Sequence, residues 1–249
     1  MISNLFYALI YTPLYNALIG LLSFGTFIDV GIAVIILTAI VKIALSPLSL
    51  KAARTQRLMK QLEEPMKEIR EKYKDKREEQ GRKLLELYKE KGVNPFSGFV
   101  VLFIQLPIIL GLYWVFLKAG LPDVDTSLLY SFINKPEEIQ MYFLGVVDMA
   151  SKSIPLAGLA GVTQYFQARF ALPAPTPRKD NATFQEDFAR SLQLQMRYVF
   201  PFLIMVIAYV ASAAVALYWI TSNIFAIGQE IYVKRVMQKE EGTTEAEDK

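Results

Sequence analysis

Long apolar runs alternate with charged stretches along this chain, and the lengths of the runs predict its elements. Residues 27–50 are the clearest case. They contain GIAVIILTAIVKIALSPLSL, long enough as a helix to cross a hydrocarbon layer ~30 Å thick. Further apolar runs cover 96–117, 154–172 and 198–233. The last is too long for one helix and predicts two spans, 198–210 and 213–233, joined around Ala211–Ser212–Ala213. Pro201 stands near the start of the first of these two. Gln105 and Pro107 interrupt 96–117, and Tyr113 and Trp114 lie near its end, where interfacial aromatics gather. In 154–172, Gly158 and Gly161 suit close helix packing, and Gln164 and Gln167 share a face. The pattern predicts an all-α polytopic membrane protein with five transmembrane helices and a helical hairpin outside the bilayer.

The remaining segments differ in kind. Residues 1–26 hold no Lys, Arg, Asp or Glu, and Pro13 and Asn16 break their apolar run. Without a basic opening they do not read as a cleaved leader. They predict an interfacial helix with Leu14, Leu18, Leu21 and Leu22 on its apolar side, an extra span being the other reading. Residues 51–92 are strongly charged, yet Leu58, Leu62, Met66, Ile69 and Tyr73 recur near a 3.6 period. A break at Lys74–Asp75–Lys76 and a second amphipathic stretch, with Gly92 as its C′ residue, complete a hairpin in water. Pro65 kinks or divides the first arm. Residues 236–249 are charged, end acidic and predict a disordered tail.

Charge orients this arrangement. Residues 51–92 hold fourteen of the 27 Lys and Arg residues, which puts them in the cytoplasm under the positive-inside rule. Counting crossings, 118–153 is outside, 173–196 inside and the tail inside. The outer loop has three basic and five acidic residues, and the inner connection holds Arg178, Lys179 and Arg190. The N-terminus is then outside and the C-terminus in the cytoplasm.

The chemistry is sparse. The 249 residues include no His and no Cys, which removes the usual general base, thiol nucleophile and most metal-ligand sets. No glycine-rich phosphate loop or HExxH is present, so neither a cofactor nor a metal is expected. What the spans do hold is Lys42. A lysine near a span's centre costs roughly 2.5–3.5 kcal/mol on insertion scales. It sits with Thr38, Ser46 and Ser49 at helical spacing on one face, and Pro47 frees the carbonyl of Ile43. Two readings stand: snorkelling to the membrane edge, and a wet cavity. Uncharged polar residues on several spans, Gln105, Gln164, Gln167, Thr221, Ser222 and Asn223, favour a shared hydrated groove with Lys42, Thr38 and Ser46, though interhelical bonding accounts for such residues one at a time. A fixed positive charge there lowers the cost of bringing a short acidic segment into the bilayer.

Several motifs in order resemble the YidC membrane protein insertase family. They are Val41–Lys42–Ile43–Ala44–Leu45–Ser46–Pro47–Leu48, Gly92–Val93–Asn94–Pro95, Gln105–Leu106–Pro107–Ile108 and Leu217–Tyr218–Trp219–Ile220–Thr221–Ser222–Asn223. The resemblance runs from about Tyr11 to Arg235 and fits a short form without a large extracytoplasmic domain. It implies a five-span core over 27–235, an outer amphipathic segment before it, and a groove open to cytoplasm and lipid. It also implies nascent membrane proteins with short translocated regions as substrates. The lipid bilayer, a Sec translocon and a ribosome come with it as partners, and no small-molecule substrate. The function implied is insertion, not enzymatic catalysis, with Arg54, Arg57, Lys60, Arg70 and Lys72 of the hairpin as substrate or partner contacts. The family's groove cation is usually arginine, and Lys42 stands there. Its usual Pro-Ser-Gly turn appears as Ala211–Ser212–Ala213. The rival functions are a small-solute channel or carrier, for which no internal repeat is found, and an assembly factor that inserts nothing.

Overall fold

The computed structural model describes residues 5–94, 106–115, 121–172 and 184–247, with the side chains of residues 60, 184–186, 188–189 and 239–247 outside the description. Residues 95–105, Gln105 among them, residues 116–120 and the PAPTPRKD segment therefore lie outside the described residues, as does the Lys60 side chain. The chain forms two compact units, one of Met1–Ala44 with Gln105–Gly228 and one of Leu45–Ile104 with Gln229–Lys249. Each is taken by itself.

The first unit opens with a π-helical turn, Tyr7–Tyr11, running into α1, Thr12–Leu22. The amide of Thr12 donates to the carbonyl of Tyr7, five residues back. This wider turn makes room for the Pro13 ring, which would clash with the carbonyl four residues before it in an α-helix. The device recurs at Gln195–Val199, where Phe200 donates to Gln195 just before Pro201. Pro13 therefore does not interrupt the opening helix. Asn16, expected to break it, is buried inside it.

The long helices are α2, Val30–Gln61; α5, Leu106–Val115; α6, Ile154–Ala171; α8, Phe200–Ala211; and α9, Ala213–Glu247, with α2 beyond Ala44 and α9 beyond Gly228 belonging to the second unit. The hairpin arms are α3, Glu63–Lys72, and α4, Arg77–Glu90, and α7 is Phe184–Leu194. The last of these corrects the reading of 173–196 as mere connection, since Arg190–Ala211 is one helix long and apolar enough to span. Among the described residues Val30–Met59 is the other such helix.

Two apolar clusters hold the unit together. Tyr11, Leu14, Tyr15, Leu18 and Leu22 of the first helix pack with Val30, Val34 and Leu37 of α2, Leu112 and Val115 of α5, and Leu217 and Tyr218 of α9. The second cluster joins Ala157 and Ala160 of α6, Ile204 and Ala208 of α8, and Ala216 and Ile220 of α9. Alternate faces of α9 thus serve both. Gly161 lets α6 approach α8: a Cβ there would stand 3.0 Å from the Met205 Cβ and 3.1 Å from the Pro201 carbonyl. Gly158 has nothing near its missing Cβ, so the expected pair of packing glycines reduces to one.

The segment 121–153, expected as a loop, is a built cap. It carries a short antiparallel pair, β1 Tyr142–Phe143 and β2 Val147–Asp148, the one strand pair among the described residues. Phe143 lies against Gly31 in the first turn of α2, where no side chain fits beside it. Val124 and Met149 are buried in the first cluster.

In the second unit, α2 runs unbroken through Pro47 and ends at Gln61. The first hairpin arm is therefore partly this helix. It gives way at Leu62 to α3, Glu63–Lys72, and Pro65 falls in the first turn of α3, where its missing N–H costs little. After the break at Tyr73–Lys76 comes α4, Arg77–Glu90. Leu62 and Met66 pack with Leu84, Leu87, Tyr88 and Val93, giving the hairpin its own small core. Gly92, at φ +64°, closes α4 as expected. Its amide donates to Lys89 and that of Val93 to Tyr88, the paired bonds of a Schellman cap with Val93 against Leu87 and Tyr88. The tail expected to be disordered instead continues α9 to Glu247. The reason lies at its start: Val233 and Met237 pack with Ala53 and carry the helix past the apolar run.

Candidate functional site: a polar layer across three helices

The site is built from one end. Three helix N-termini are held by the 121–153 cap. For α2, the amide of Val30 donates to Gln140, and Asp29 is the N-cap. One oxygen of its carboxylate accepts from Ile32 at 2.8 Å and the other from Leu144 at 3.0 Å, joining helix and β-turn through one buried side chain. For α9, Ala213 donates to Ser151 and Ala214 to Met149. Ser212, extended at φ −173°, takes Val215 on its hydroxyl and Ala216 on its carbonyl. All four opening amides of that helix are thereby satisfied, so the Ala-Ser-Ala turn works without Pro or Gly. For α6, Ser153 is the N-cap of the first turn.

Starting from one cap, the three helices reach their polar residues at similar distances along their own axes. At 1.5 Å per residue, Thr38 and Lys42 come about 12 and 18 Å along α2, Gln164 about 15 Å along α6, and Asn223 about 15 Å along α9. Half of a ~30 Å hydrocarbon layer is the same distance. Direct bonds fix part of the register. The Asn223 amide donates to the Thr163 hydroxyl at 3.2 Å and to the Ala160 carbonyl at 3.5 Å. Gln164 donates to Gln167 at 3.1 Å. Thr38, Gln164, Ser222 and Asn223 are buried, and Lys42 and Gln167 are half-buried. Thr38 turns its hydroxyl back to Val34 at 2.6 Å. Ser46 follows one turn after Lys42 along α2, half-buried, in the second unit.

The outside of the same unit is apolar. On α8, Phe202, Leu203, Val206, Ile207 and Val210 are exposed while Pro201, Ile204 and Ala208 are buried. Only 17% of the span-length window here is buried within the chain. A water-facing helix does not expose such a stripe, whereas lipid covers it at no cost. Ile40 and Ile43 of α2 and Val162 and Phe166 of α6 extend it. At the end away from the cap, Arg169 is exposed in the last turn of α6, and Arg197 donates to the terminal carbonyl of Leu172 at 3.1 Å, cations where the helix dipole favours them.

The hairpin cations divide. Arg54, Arg70 and Lys72 are exposed. Arg57 is half-buried and bonds to Glu230, its Nη2 lying 3.1 Å from the carbonyl oxygen and 3.2 Å from the carboxylate. Beside it, Ser49 and Gln229 exchange bonds. The sequence pattern missed this strap, and it missed Asn16. The Asn16 amide donates to Thr12 and to Leu128, and its oxygen accepts from Tyr130 at 2.7 Å. The one available signal for Asn16 was a lone amide side chain inside an uncharged apolar run.

Comparison with known proteins decides what these features belong to. A profile of the family described as 60Kd inner membrane protein matches residues 22–241. The chain belongs to the YidC family. A membrane protein insertase YidC of Clostridium tetani is 32% identical over 217 residues, 87% of this chain and 86% of the relative. One from Fusobacterium nucleatum is 30% identical over 205 residues, covering 82% and 86%. A third, from Oceanobacillus iheyensis, is 30% identical over 213 residues, covering 83% and 75%. YidC proteins are polytopic insertases of the bacterial inner membrane and are not enzymes. The buried polar residues therefore need supply no covalent chemistry.

Proposed function

We propose that this chain inserts short-tailed membrane proteins by lending their polar segments a hydrated, positively charged groove at mid-membrane. What supports this reading is that Thr38 and Lys42 on α2, Gln164 on α6 and Ser222 and Asn223 on α9 stand at similar distances along three helices that start from one cap. An acidic group 4 Å from a lysine gains about 4 kcal/mol at an effective dielectric of 20. That is of the order of the penalty for placing one carboxylate at a helix centre. The substrate's own apolar helix then drives its exit into lipid. In this reading 27–50, 96–117, 154–172, 198–210 and 213–233 are the five spans, with Gln105, Ser46 and Gln167 completing the groove lining. The cap faces outside, and the hairpin receives substrates in the cytoplasm through Arg54, Lys60, Arg70 and Lys72, with Arg57 holding its helix to Glu230. A ribosome or a Sec translocon is the delivering partner.

The test is reconstitution in liposomes with a single-span substrate bearing an acidic N-terminal tail. Protected substrate is compared for wild type, Lys42→Arg and Lys42→Ala. Arg is expected to insert like wild type and Ala roughly tenfold less, a loss of about 1.4 kcal/mol. Equal insertion by Ala, with the variant folded, would move Lys42 from groove to membrane-edge anchor. No insertion by wild type would favour the assembly-factor reading.

A further inference from the structure

We infer that the β-turn Phe143–Val146 of the cap is a lipid anchor, seated where the headgroups of the outer leaflet meet their acyl chains. The inference rests on reading 27–50 as a span with its capped end outside, and on nothing else in the insertion mechanism. Met141–Tyr142–Phe143–Leu144–Gly145–Val146–Val147 is a run without a charge. Leu144 is 68% and Val146 79% exposed, and Tyr142 is exposed too. In water such a strand pair invites edge-to-edge association. The backbone goes out of its way to present it. The Val146 amide closes the turn on the Phe143 carbonyl at 3.0 Å. The two central residues, Leu144 at φ +50° and Gly145 at φ +72°, are both left-handed. Turns of that pattern favour Asn-Gly, and the Cβ of a leucine is disfavoured there. Asparagine would serve the turn better. What leucine adds is an apolar side chain that touches little of the protein.

Depth selects the occupant. The Leu144 amide donates to Asp29, and Phe143 lies against Gly31. These contacts hold the turn level with the first turn of α2, at the outer edge of the 27–50 span. Phe27 is exposed at the same edge, and so is Ile154, the first residue of α6, directly after the cap's Ser153. Aromatic side chains such as Tyr142 and Phe27 gather at this level of a bilayer. The acids nearest the turn are engaged within the protein. Asp29 accepts from Ile32 and Leu144, and Asp148 accepts from Ala150 and Ser151, so no free carboxylate keeps the turn out of lipid. The depth also has a limit. A two-stranded ladder has open edges, and unpaired backbone groups are not tolerated in hydrocarbon. The turn therefore stops at the boundary, ~5–10 Å into the leaflet as interfacial apolar faces do. Because Asp29 joins the turn to α2, the anchor also fixes the depth of that helix's outer end.

The test uses the full-length protein, reconstituted sparsely in liposomes of phosphatidylcholine and phosphatidylglycerol. Val146→Cys, and Glu137→Cys as a control elsewhere on the cap, each carry an environment-sensitive fluorophore. Lipids with a nitroxide high or low on the acyl chain then act as quenchers. The Val146 probe is expected to emit to the blue of the Glu137 probe and to be quenched roughly twofold more, by the shallow nitroxide above the deep one. Leu144→Asn suits the turn, so it is expected to melt in detergent no lower than its parent and yet to shift the Val146 probe back toward water. Equal quenching at Val146 and Glu137 overturns the proposal. Stronger quenching by the deep nitroxide overturns it as well, since the turn would then lie in the acyl core. Shielding that grows with protein density and ignores the nitroxides would give the turn to a second copy of the chain, and a Val146 probe unmoved by Leu144→Asn would deny the leucine its role. An Ile40→Cys probe, on an exposed side of α2, reports the span assignment separately. Deep quenching there with none at Val146 sinks the anchor alone, and no quenching at Ile40 sinks the span reading and the anchor with it. Insertion activity is not the readout, so a failed groove leaves the anchor standing.

Discussion

At the scale of single residues, the chain depends on a few buried polar groups that bridge distant segments. Asn16 is the clearest. Its side chain satisfies the carbonyl of Leu128 and the amide of Tyr130, more than a hundred residues away. Asn16→Leu keeps the volume and apolar packing but strands two backbone groups in a site only 2% exposed. Each stranded group costs about 1–3 kcal/mol. Thermal unfolding in detergent should fall by several degrees, and amide exchange at 128–130 should quicken before the rest of the molecule opens. No loss of stability would mean that the cap is held by its apolar contacts alone. Periodicity cannot show such a residue, because its partners are remote in sequence and are backbone atoms. Lys42 was legible for the opposite reason: a cation inside an apolar run stands out locally, and its stripe with Thr38 follows from helical geometry within one element.

At the scale of elements, the helices were readable and their ends were not. Apolar run lengths located α2, α6 and the start of α9, because burial in lipid and burial in protein both demand unbroken apolar stretches. They failed where a helix crosses from apolar to charged surroundings without a stop. Nothing in 50–61 breaks a helix, and α2 simply continues into the hairpin arm. The two prolines that seemed to mark boundaries, Pro13 and Pro201, are absorbed by π-turns instead. Glycines were half-legible: Gly158 and Gly161 look alike in sequence, and only contact geometry separates them. That difference makes a paired prediction. Gly161→Val drives a side chain into Met205 and the Pro201 carbonyl and should cost about 1–3 kcal/mol as α6 and α8 separate. Gly158→Ala meets open space and should be neutral or gain up to ~1 kcal/mol from helix propensity. Denaturation of both variants beside wild type checks it. Equal effects would show that the α6–α8 approach is not set by Gly161.

At the scale of the whole molecule, function depends on which way the chain faces, and charge supplies the argument. In the first unit the cap, 121–153, carries two basic and five acidic residues, while Arg169 and Arg197 gather at the opposite helix ends. The hairpin, with fourteen cations in 51–92, follows α2 away from its capped end. Under the positive-inside rule each asymmetry favours the proposed orientation, with the cap outside and the hairpin in the cytoplasm. The chain has no cysteine, so single-cysteine labelling needs no background removal. Glu137→Cys in the cap and Lys74→Cys between the hairpin arms are both at exposed positions. A membrane-impermeant maleimide added to intact spheroplasts should label Glu137→Cys at once and Lys74→Cys only after lysis. The reverse pattern would place the polar layer's cap on the cytoplasmic side. Substrates arriving from the ribosome would then meet the sealed end of the groove, and Lys42 would draw acidic segments from the wrong compartment. The labelling pattern therefore tests the insertase mechanism as well as the topology, since a groove closed by its cap outside and reached from within is the arrangement in which an acidic tail gains by entering it.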